Sequence, residues 1–451
     1  MKKIVLVLLT TLSFLLPQTS HAQWSELGGV NSLGANNYIR AMCTDAGGNV
    51  YAAGNFTNTS GNYYVAKWNG NNWSEVGGNN ALAANGPIRS ILIDIAGNVY
   101  AAGEFTNTSG KEYVAKWNGN NWSEVGGNNS LAAKDWIATI CKDASGNIYA
   151  AGGFYNSSGH AYVAKWNGNI WSELGGVNAL AANSEIATIC ADAGGNIYAA
   201  GGFTNSMVRP YVAKWDGNVW SEVGGSNSFN FNNPIFTVYV DAANNIYATG
   251  LFINPSINHY VAKWNGSSWS ELGGLNALAA NDGIRSICTD MGGNVYAAGY
   301  FTNTVGRYVA KWNGSNWSEL GGNNAFSANN YIFSICTNIN GDIFAAGDFV
   351  NASGKHYVAK YHNPTGIEEL PTTTLTIAPN PVKDMLTISL AGNEQEKSIE
   401  VIDVFGRVVY QQSQIINLKS QIETTSWSSG LYLVRCTMQD GSMATGKVVK
   451  E

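Results

Sequence analysis

Three strings decide how this chain folds: Ile148-Tyr-Ala-Ala-Gly-Gly-Phe154, Tyr162-Val-Ala-Lys-Trp-Asn-Gly168 and Trp171-Ser-Glu-Leu-Gly-Gly176. Each recurs along the chain. Trp-Ser-Glu-(Leu/Val)-Gly-Gly begins at Trp24, Trp73, Trp122, Trp171, Trp220, Trp269 and Trp317, at five intervals of 49 residues and one of 48. Val-Ala-Lys-Trp ends at Trp68, Trp117, Trp166, Trp215, Trp264 and Trp312, and its seventh copy ends on Tyr361. The first string surrounds Tyr51, Tyr100, Tyr149, Tyr198, Tyr247, Tyr296 and Phe344. A fixed period of this length marks a repeat architecture.

Each unit holds four short apolar runs, in the first unit Ile39–Asp45, Asn49–Phe56, Tyr63–Trp68 and Trp73–Val76. They are rich in Ile, Val, Tyr and Trp and read as strands. Asp45-Ala-Gly-Gly-Asn49 and Asn69-Gly-Asn-Asn72 separate them with hairpin chemistry, because Gly and Asn supply positive φ. No run reads as a helix. Four antiparallel strands at this period are the pattern of a propeller blade, whose sheet covers both faces only by stacking on its neighbours. The expected fold is all-β: a seven-bladed β-propeller of four-stranded blades. The chain opens on a fourth strand at Trp24, while the last three-strand set, Tyr331–Tyr361, lacks one. The N-terminal strand is therefore expected to complete the last blade and pair its open edge. The rival for that edge is Ile367–Leu370, which follows Gly366 at the place of an eighth Trp.

The order of double glycine, Tyr and Trp in the quoted strings resembles kelch repeats, and Asp-Ala-x-Gly-Asn-(Ile/Val)-Tyr is similar to bacterial seven-bladed propeller repeats. The resemblance spans about residues 24–361 and implies a fold, since propellers host many functions.

Composition narrows the function. Charged residues are 12 % of the 451-residue chain and the net charge is −6, which disfavours a nucleic-acid partner. An apolar content of 45 % with 12 % aromatics is enough to fill a core. Residues 1–22 read as a signal peptide: Lys2 and Lys3, the apolar run Ile4–Leu16, then Ser20-His21-Ala22 with cleavage after Ala22. The run is too short to span a bilayer and no later segment is apolar enough, so an exported chain without a transmembrane segment is expected.

The repeat occupies 23–361, a linker 362–374, and a second domain 375–451. In that domain alternating runs at Leu386–Leu390, Ile399–Val404, Arg407–Tyr410, Gly430–Cys436 and Met443–Val449 read as a small Ig-like β-sandwich. Its motifs are Pro379-Asn380-Pro381, Asp403-Val-Phe-Gly406-Arg407, Ser429-Gly430-Leu-Tyr432-Leu-Val434 and Gly446-Lys447-Val-Val-Lys450. In this order they resemble the type A C-terminal sorting domain of the type IX secretion system of Bacteroidetes. That resemblance implies the type IX machinery as a partner, translocation across the outer membrane, and a protein released or held at the cell surface.

Residues repeated in every unit are read as structural. Cys43, Cys141, Cys190, Cys288 and Cys336 share a slot that holds Leu92 and Tyr239 elsewhere, which makes them buried thiols rather than disulfide partners. Asp45 and its equivalents supply one carboxylate per loop and no Glu twelve residues on, which fits an Asx turn better than a calcium loop. No HExxH or CxxC occurs, and neither metal nor cofactor is expected. Lys67 and Glu75, with their equivalents, are expected to share a sheet face.

Function is sought where the units differ. Beside the first-strand Ile stand Tyr38, Trp136 and Tyr331 on one side and Arg40, Arg89 and Arg285 on the other. These six should ring the mouth of the central channel and bind a glycan or an acidic surface-protein partner. No catalytic residue is assigned. The alternative is a secreted propeller enzyme of the glycoside hydrolase or polysaccharide lyase kind, for which Glu104, Glu185 and Asp348 are the carboxylates that break the repeat.

Overall fold

The computed structural model describes residues 24–128, 130–225, 231–362, 375–390, 396–403, 408–413, 419–438 and 443–451. The expected signal peptide, Ile367–Leu370, most of the linker, and Gly406 and Arg407 lie outside them. The chain forms two compact units, one spanning Ala22–Asn363 and the other holding the residues from Pro364 on.

The first unit contains seven four-stranded antiparallel sheets. Blade 1 is Ile39–Thr44, Val50–Gly54, Ala66–Trp68 and Trp73–Glu75, and blades 2 to 6 repeat this order. Blade 7 takes Ile332–Thr337, Ile343–Gly347 and Ala359–Tyr361 from the end of the repeat and Trp24–Glu26 from its beginning. Trp24 lies opposite Tyr361 and Glu26 opposite Ala359, so the N-terminal strand closes the ring. The first strands of neighbouring blades pack against one another around the channel.

The second strand reads as a continuous apolar run because both its faces are covered. All five residues of Val50–Gly54 are buried. Tyr51 and Ala53 pack into the core shared with blade 2, and Val50 and Ala52 into the core shared with blade 7. Each blade adds a buried Phe set edge-to-face on a Tyr, such as Phe56 on Tyr64 at 4.9 Å and Phe349 on Tyr357 at 5.0 Å. Fourth-strand indoles tie successive blades together. Trp73 Nε1 donates to Leu27 O, Trp122 Nε1 to Val76 O and Trp171 Nε1 to Val125 O, at 3.3, 3.1 and 2.9 Å.

The Asp loops are Asx turns. Asp45 Oδ1 accepts the backbone N–H of Gly47 and of Asn49, both at 2.9 Å. Asp45 Oδ2 accepts Asn49 Nδ2 at 2.7 Å and the Tyr51 hydroxyl at 3.1 Å. The repeated Asp, Asn and Tyr are thus one hydrogen-bonded unit that pins the first hairpin to the second strand.

Three expectations need correction. The third strand is shorter than its apolar run: Tyr63 makes isolated bridges to Thr57 and Ala84 instead of joining the ladder. Single 3-10 turns occur after the fourth strand, as at Gly29–Asn31, where consecutive glycines take φ of 95° and 52° at Gly28 and Gly29. Lys67 and Glu75 do not share a face. The hairpin loop holds four residues, so Lys67 lies opposite Ser74 and Glu75 opposite Ala66. Lys67 instead sits 5.3 Å from the centre of the Tyr51 ring, and Glu75 accepts from Asn58 Nδ2. The cation–π contact recurs in every blade, ending with Lys360 over Phe344.

Burial raises the thiol pKa of all five blade cysteines, in Cys336 to about 12. Ellman's reagent at pH 8 should therefore react with them at least ~10-fold more slowly in the folded protein than after unfolding in urea, because the thiolate is the nucleophile. Equal rates would show that the slot is open.

The second unit is two sheets. One orders Leu375–Ala378, Met385–Leu390 and Lys419–Glu423, the other Val408–Ser413, Glu396–Asp403, Gly430–Met438 and Met443–Lys450. Its core includes Leu386, Ile399, Val434 and Val448. Lys419–Glu423 escapes a hydrophobicity reading because Ile422 is its only apolar residue. Its buried partner in the alternation is Ser420.

Candidate functional site

The channel mouth is built by a bulge. In every blade the register slips near the start of the first strand, for example between Ile39, opposite Gly54, and Ala41, opposite Ala53. Arg40 is the extra residue. Its equivalents are Arg89, Ala138, Ala187, Phe236, Arg285 and Phe333. Gly54 is required opposite the bulge, since a Cβ there would lie 2.4 Å from Tyr38 O. Bulges re-aim side chains at barrel rims and beside functional sites. Here the device presents one variable residue per blade at the channel.

Four of the six expected site residues meet in one cavity of about 250 Å³. Arg40, Arg89, Arg285 and Trp136 line it, with Glu185, Phe236 and Tyr300. Arg89 Nε and Nη2 both reach Glu104 Oε1 at 2.5 Å, and its guanidinium lies 4.4 Å from the centre of the Trp136 ring. Trp136 also lies against Gly153, where a Cβ would meet the indole at 2.6 Å. This explains the glycine pair of blade 3 and leaves Trp136 positioning Arg89 rather than offering an open stacking face. Arg285 lies 5.0 Å from the Phe236 ring centre. Neither Arg40 nor Arg285 has an ion-pair partner among the described residues. Burial, then the charges of Arg89 and Arg285, push Arg40 down to about 10; burial and Arg89 lower Arg285 as well. The three guanidiniums therefore feel one another, and Arg40 and Arg285 are partly desolvated without an ion-pair partner among the described residues.

Tyr38 and Tyr331 belong to an aromatic arc beside this cavity. Tyr38 meets Phe333 at 5.5 Å, Tyr331 meets Phe333 at 6.3 Å, and Tyr300 joins Tyr331 at 4.7 Å. Tyr331 is 38 % exposed, with the Arg307 guanidinium 4.5 Å from its ring centre. Phe236, Tyr300, Phe333 and Arg307 lay outside the six expected site residues. Tyr300 follows the second-strand glycine, where other blades carry Asn55, Gly153 or Leu251; departure from the repeat at that position was the available signal. The three carboxylates weighed for catalysis have separate partners: Glu104 binds Arg89, Glu185 accepts from the Ser184 hydroxyl, and Asp348 binds His356 and Asn330. Among the described residues no group of three or more His, Cys, Asp or Glu could hold a metal ion.

In the second unit, motifs far apart in sequence meet. Asn380 Nδ2 donates to Lys447 O at 3.0 Å and Asn380 Oδ1 accepts from Val449 N at 2.9 Å, clasping the last strand. Pro379 and Pro381 flank that asparagine. Tyr432 donates its hydroxyl to Ser428 O at 2.7 Å and packs on Trp427, on either side of Gly430.

These features define an all-β chain: a closed seven-bladed propeller followed by a small two-sheet domain. Residues 376–451 match the family described as the secretion system C-terminal sorting domain, so the chain carries a type IX sorting tail. No helix among the described residues is long and apolar enough to cross a membrane. Among solved structures the chain is similar to the extracellular domain of a hybrid two-component system of B. thetaiotaomicron, at 11 % identity and a TM-score of 0.49. The match covers 95 % of this chain and 57 % of that one, so the chain spans little more than half its length. It is similar to the WD40 β-propeller domain of Doa1, at 11 % identity and TM-score 0.49, over 74 % of this chain and 95 % of that one. It is also similar to the six-bladed Aleuria aurantia lectin, at 16 % identity and TM-score 0.40, over 64 % and 96 %. No curated protein sequence matches the chain.

Proposed function

We propose that the propeller is an exported recognition module whose channel mouth binds an acidic saccharide. Residues 1–22 act as its export signal and 375–451 as its sorting domain, delivering residues 23–361 to the cell surface or the medium. The observation that carries the ligand class is the pair of partly buried guanidiniums without an ion-pair partner, Arg40 and Arg285, beside a partly exposed aromatic arc. Desolvated charge without a partner is costly, and an anionic ligand removes that cost. A planar carboxylate suits guanidinium forks, while Tyr38 and the face of Tyr331 turned away from Arg307 offer aromatic surface for a sugar.

The test is calorimetric titration of the full chain with an oligogalacturonide and with its methyl-esterified form, which keeps the rings and removes the charge. The acidic form should bind and the ester should not. Arg40→Gln with Arg285→Gln should weaken binding by at least ~10-fold, the scale of one charge-assisted hydrogen bond. Equal binding of both forms, or of neither, rejects the proposal. Binding of polyglutamate alone would reassign the mouth to an acidic protein partner.

A further inference from the structure

The mouth uses positions at which blades differ. A second pattern lies at the outer rim, and it alternates. The loops leading into blades 2, 4 and 6 all read Asn-Ala-Leu-Ala-Ala-Asn, at 80–85, 178–183 and 276–281, and those into blades 1, 3, 5 and 7 depart from it. In these three blades the first asparagine braces the hairpin between third and fourth strands. Asn80 Nδ2 donates to Asn120 O at 3.2 Å, Asn178 Nδ2 to Asn218 O at 3.3 Å and Asn276 Nδ2 to Ser315 O at 3.3 Å.

Against each brace opens a cleft, of about 670, 380 and 410 Å³ in blades 2, 4 and 6. The same residues line all three: an indole, a serine and a carboxylate from the fourth strand, and a tyrosine from the segment before the third. In blade 2 these are Trp122, Ser123, Glu124 and Tyr113. The carboxylate is held by an asparagine amide: Asn107 on Glu124, Asn205 on Glu222, Asn303 on Glu319. In Glu124 and Glu319, Oε1 is buried and takes no hydrogen bond. Among the described residues no Lys or Arg lines any of the three.

We infer that these clefts are three equivalent sites for a neutral sugar residue. An aromatic surface, amide groups and a fixed carboxylate match a ring that carries many hydroxyls. A lone carboxylate with no cation excludes an anion, which separates these sites from the mouth. The brace and the identical loops are not needed to close a blade, because four blades close with other sequences. The indole, serine, tyrosine and asparagine-held carboxylate recur in the other blades, and the braced Asn-Ala-Leu-Ala-Ala-Asn loop is what sets blades 2, 4 and 6 apart. Three sites on one rigid ring also favour a polymeric ligand over a monomer, through effective concentration.

Saturation-transfer NMR on the full chain tests this, with methyl glucoside, methyl galactoside, methyl mannoside and N-acetylglucosamine as probes. At least one probe should receive transfer, and Arg40→Gln with Arg285→Gln should leave that transfer unchanged. Ser123, Ser221 and Ser318 are exposed and line the clefts. One Ser→Trp substitution should remove about a third of the signal and all three should abolish it, as for independent sites. Glu124→Gln with Glu222→Gln and Glu319→Gln, which leaves the shape intact, should also reduce it. No transfer to any probe, or full transfer in the triple Ser→Trp chain, overturns the inference.

Discussion

Truncating Trp24 to alanine should cost about 3–5 kcal/mol of unfolding free energy, the range for an aromatic side chain lost from a core. Trp24 is 8 % exposed, stacks on Phe326 at 4.3 Å, tilts against Tyr361 at 5.5 Å and donates Nε1 to Leu320 O at 3.1 Å. It is also the anchor of a strand only three residues long, Trp24–Glu26. That strand is the one place where the ring is closed by pairing between chain ends and not by a hairpin. Leu27 N donates to Val358 O at 2.8 Å and Asn351 Nδ2 donates to Glu26 Oε1 at 3.0 Å, so the whole seam depends on the strand staying in place. Losing it exposes the edge of Ala359–Tyr361, and unpaired edges template aggregation. Trp73→Ala is the control: the same position in blade 1, half-buried, in a strand tethered by its own hairpin. It should cost about half as much, in line with its smaller burial. Urea unfolding of the two variants measures the difference, and light scattering on warming should rise earlier for Trp24→Ala. Equal losses and equal scattering would mean that the seam is no weaker than any other blade edge.

The architecture was legible because its cause is local and repeated. Seven copies of one strand pattern leave few ways to pack, and the missing fourth strand in the last set predicted where the N-terminus pairs. Side-chain partners were less legible. Lys67 and Glu75 were misplaced because the face on which a residue lies turns on one residue of loop length, and the four-residue hairpin puts Lys67 opposite Ser74. At the mouth, Arg40, Arg89, Arg285 and Trp136 could be collected from blade equivalence. The sequence did not reveal that Trp136 would be engaged by Arg89 and Gly153, because that depends on which side chains lean across from neighbouring blades. The second-strand glycine held the best unread clue. A glycine inside a strand marks a bulge or a close approach, and here it marks the bulge that aims the mouth residues.

The largest pH-dependent effect should come from Asn147→Asp in blade 3. Asp143 is 7 % exposed; its Oδ2 accepts Asn147 Nδ2 at 2.6 Å and the Tyr149 hydroxyl at 2.9 Å. Burial works to raise the Asp143 pKa, but hydrogen bonds from Asn147 and Tyr149 outweigh it and hold the carboxyl below its ordinary value. In the native protein this loop therefore stabilises the fold above about pH 4 and loses that contribution as pH falls through the depressed pKa. Placing a second carboxylate at 147 reverses the sign. Two carboxylates in contact cannot both ionise, so one pKa rises above its unfolded value, and stability is lost as pH rises through it. A rise of two to three units corresponds to about 3–4 kcal/mol at pH 7. Blade 7 shows how to undo the damage. There the order is reversed: Asn338 Nδ2 donates to Asp342 Oδ2 at 2.9 Å, Asn338 Oδ1 accepts from Asp342 N at 3.0 Å, and Lys360 reaches Asp342 at 3.0 Å. Phe344 replaces the tyrosine, whose hydroxyl would have lost its carboxylate acceptor. Adding Asp143→Asn to Asn147→Asp should therefore recover most of the loss at pH 7, with Lys165 standing where Lys360 stands. Urea denaturation of the two single variants and the double variant at pH 5 and pH 7 reads the coupling directly. A double variant no more stable than Asn147→Asp would mean that blade 7 tolerates its reversed pair only because His362 also binds Asp342, at 2.7 Å, where blade 3 carries Asn167.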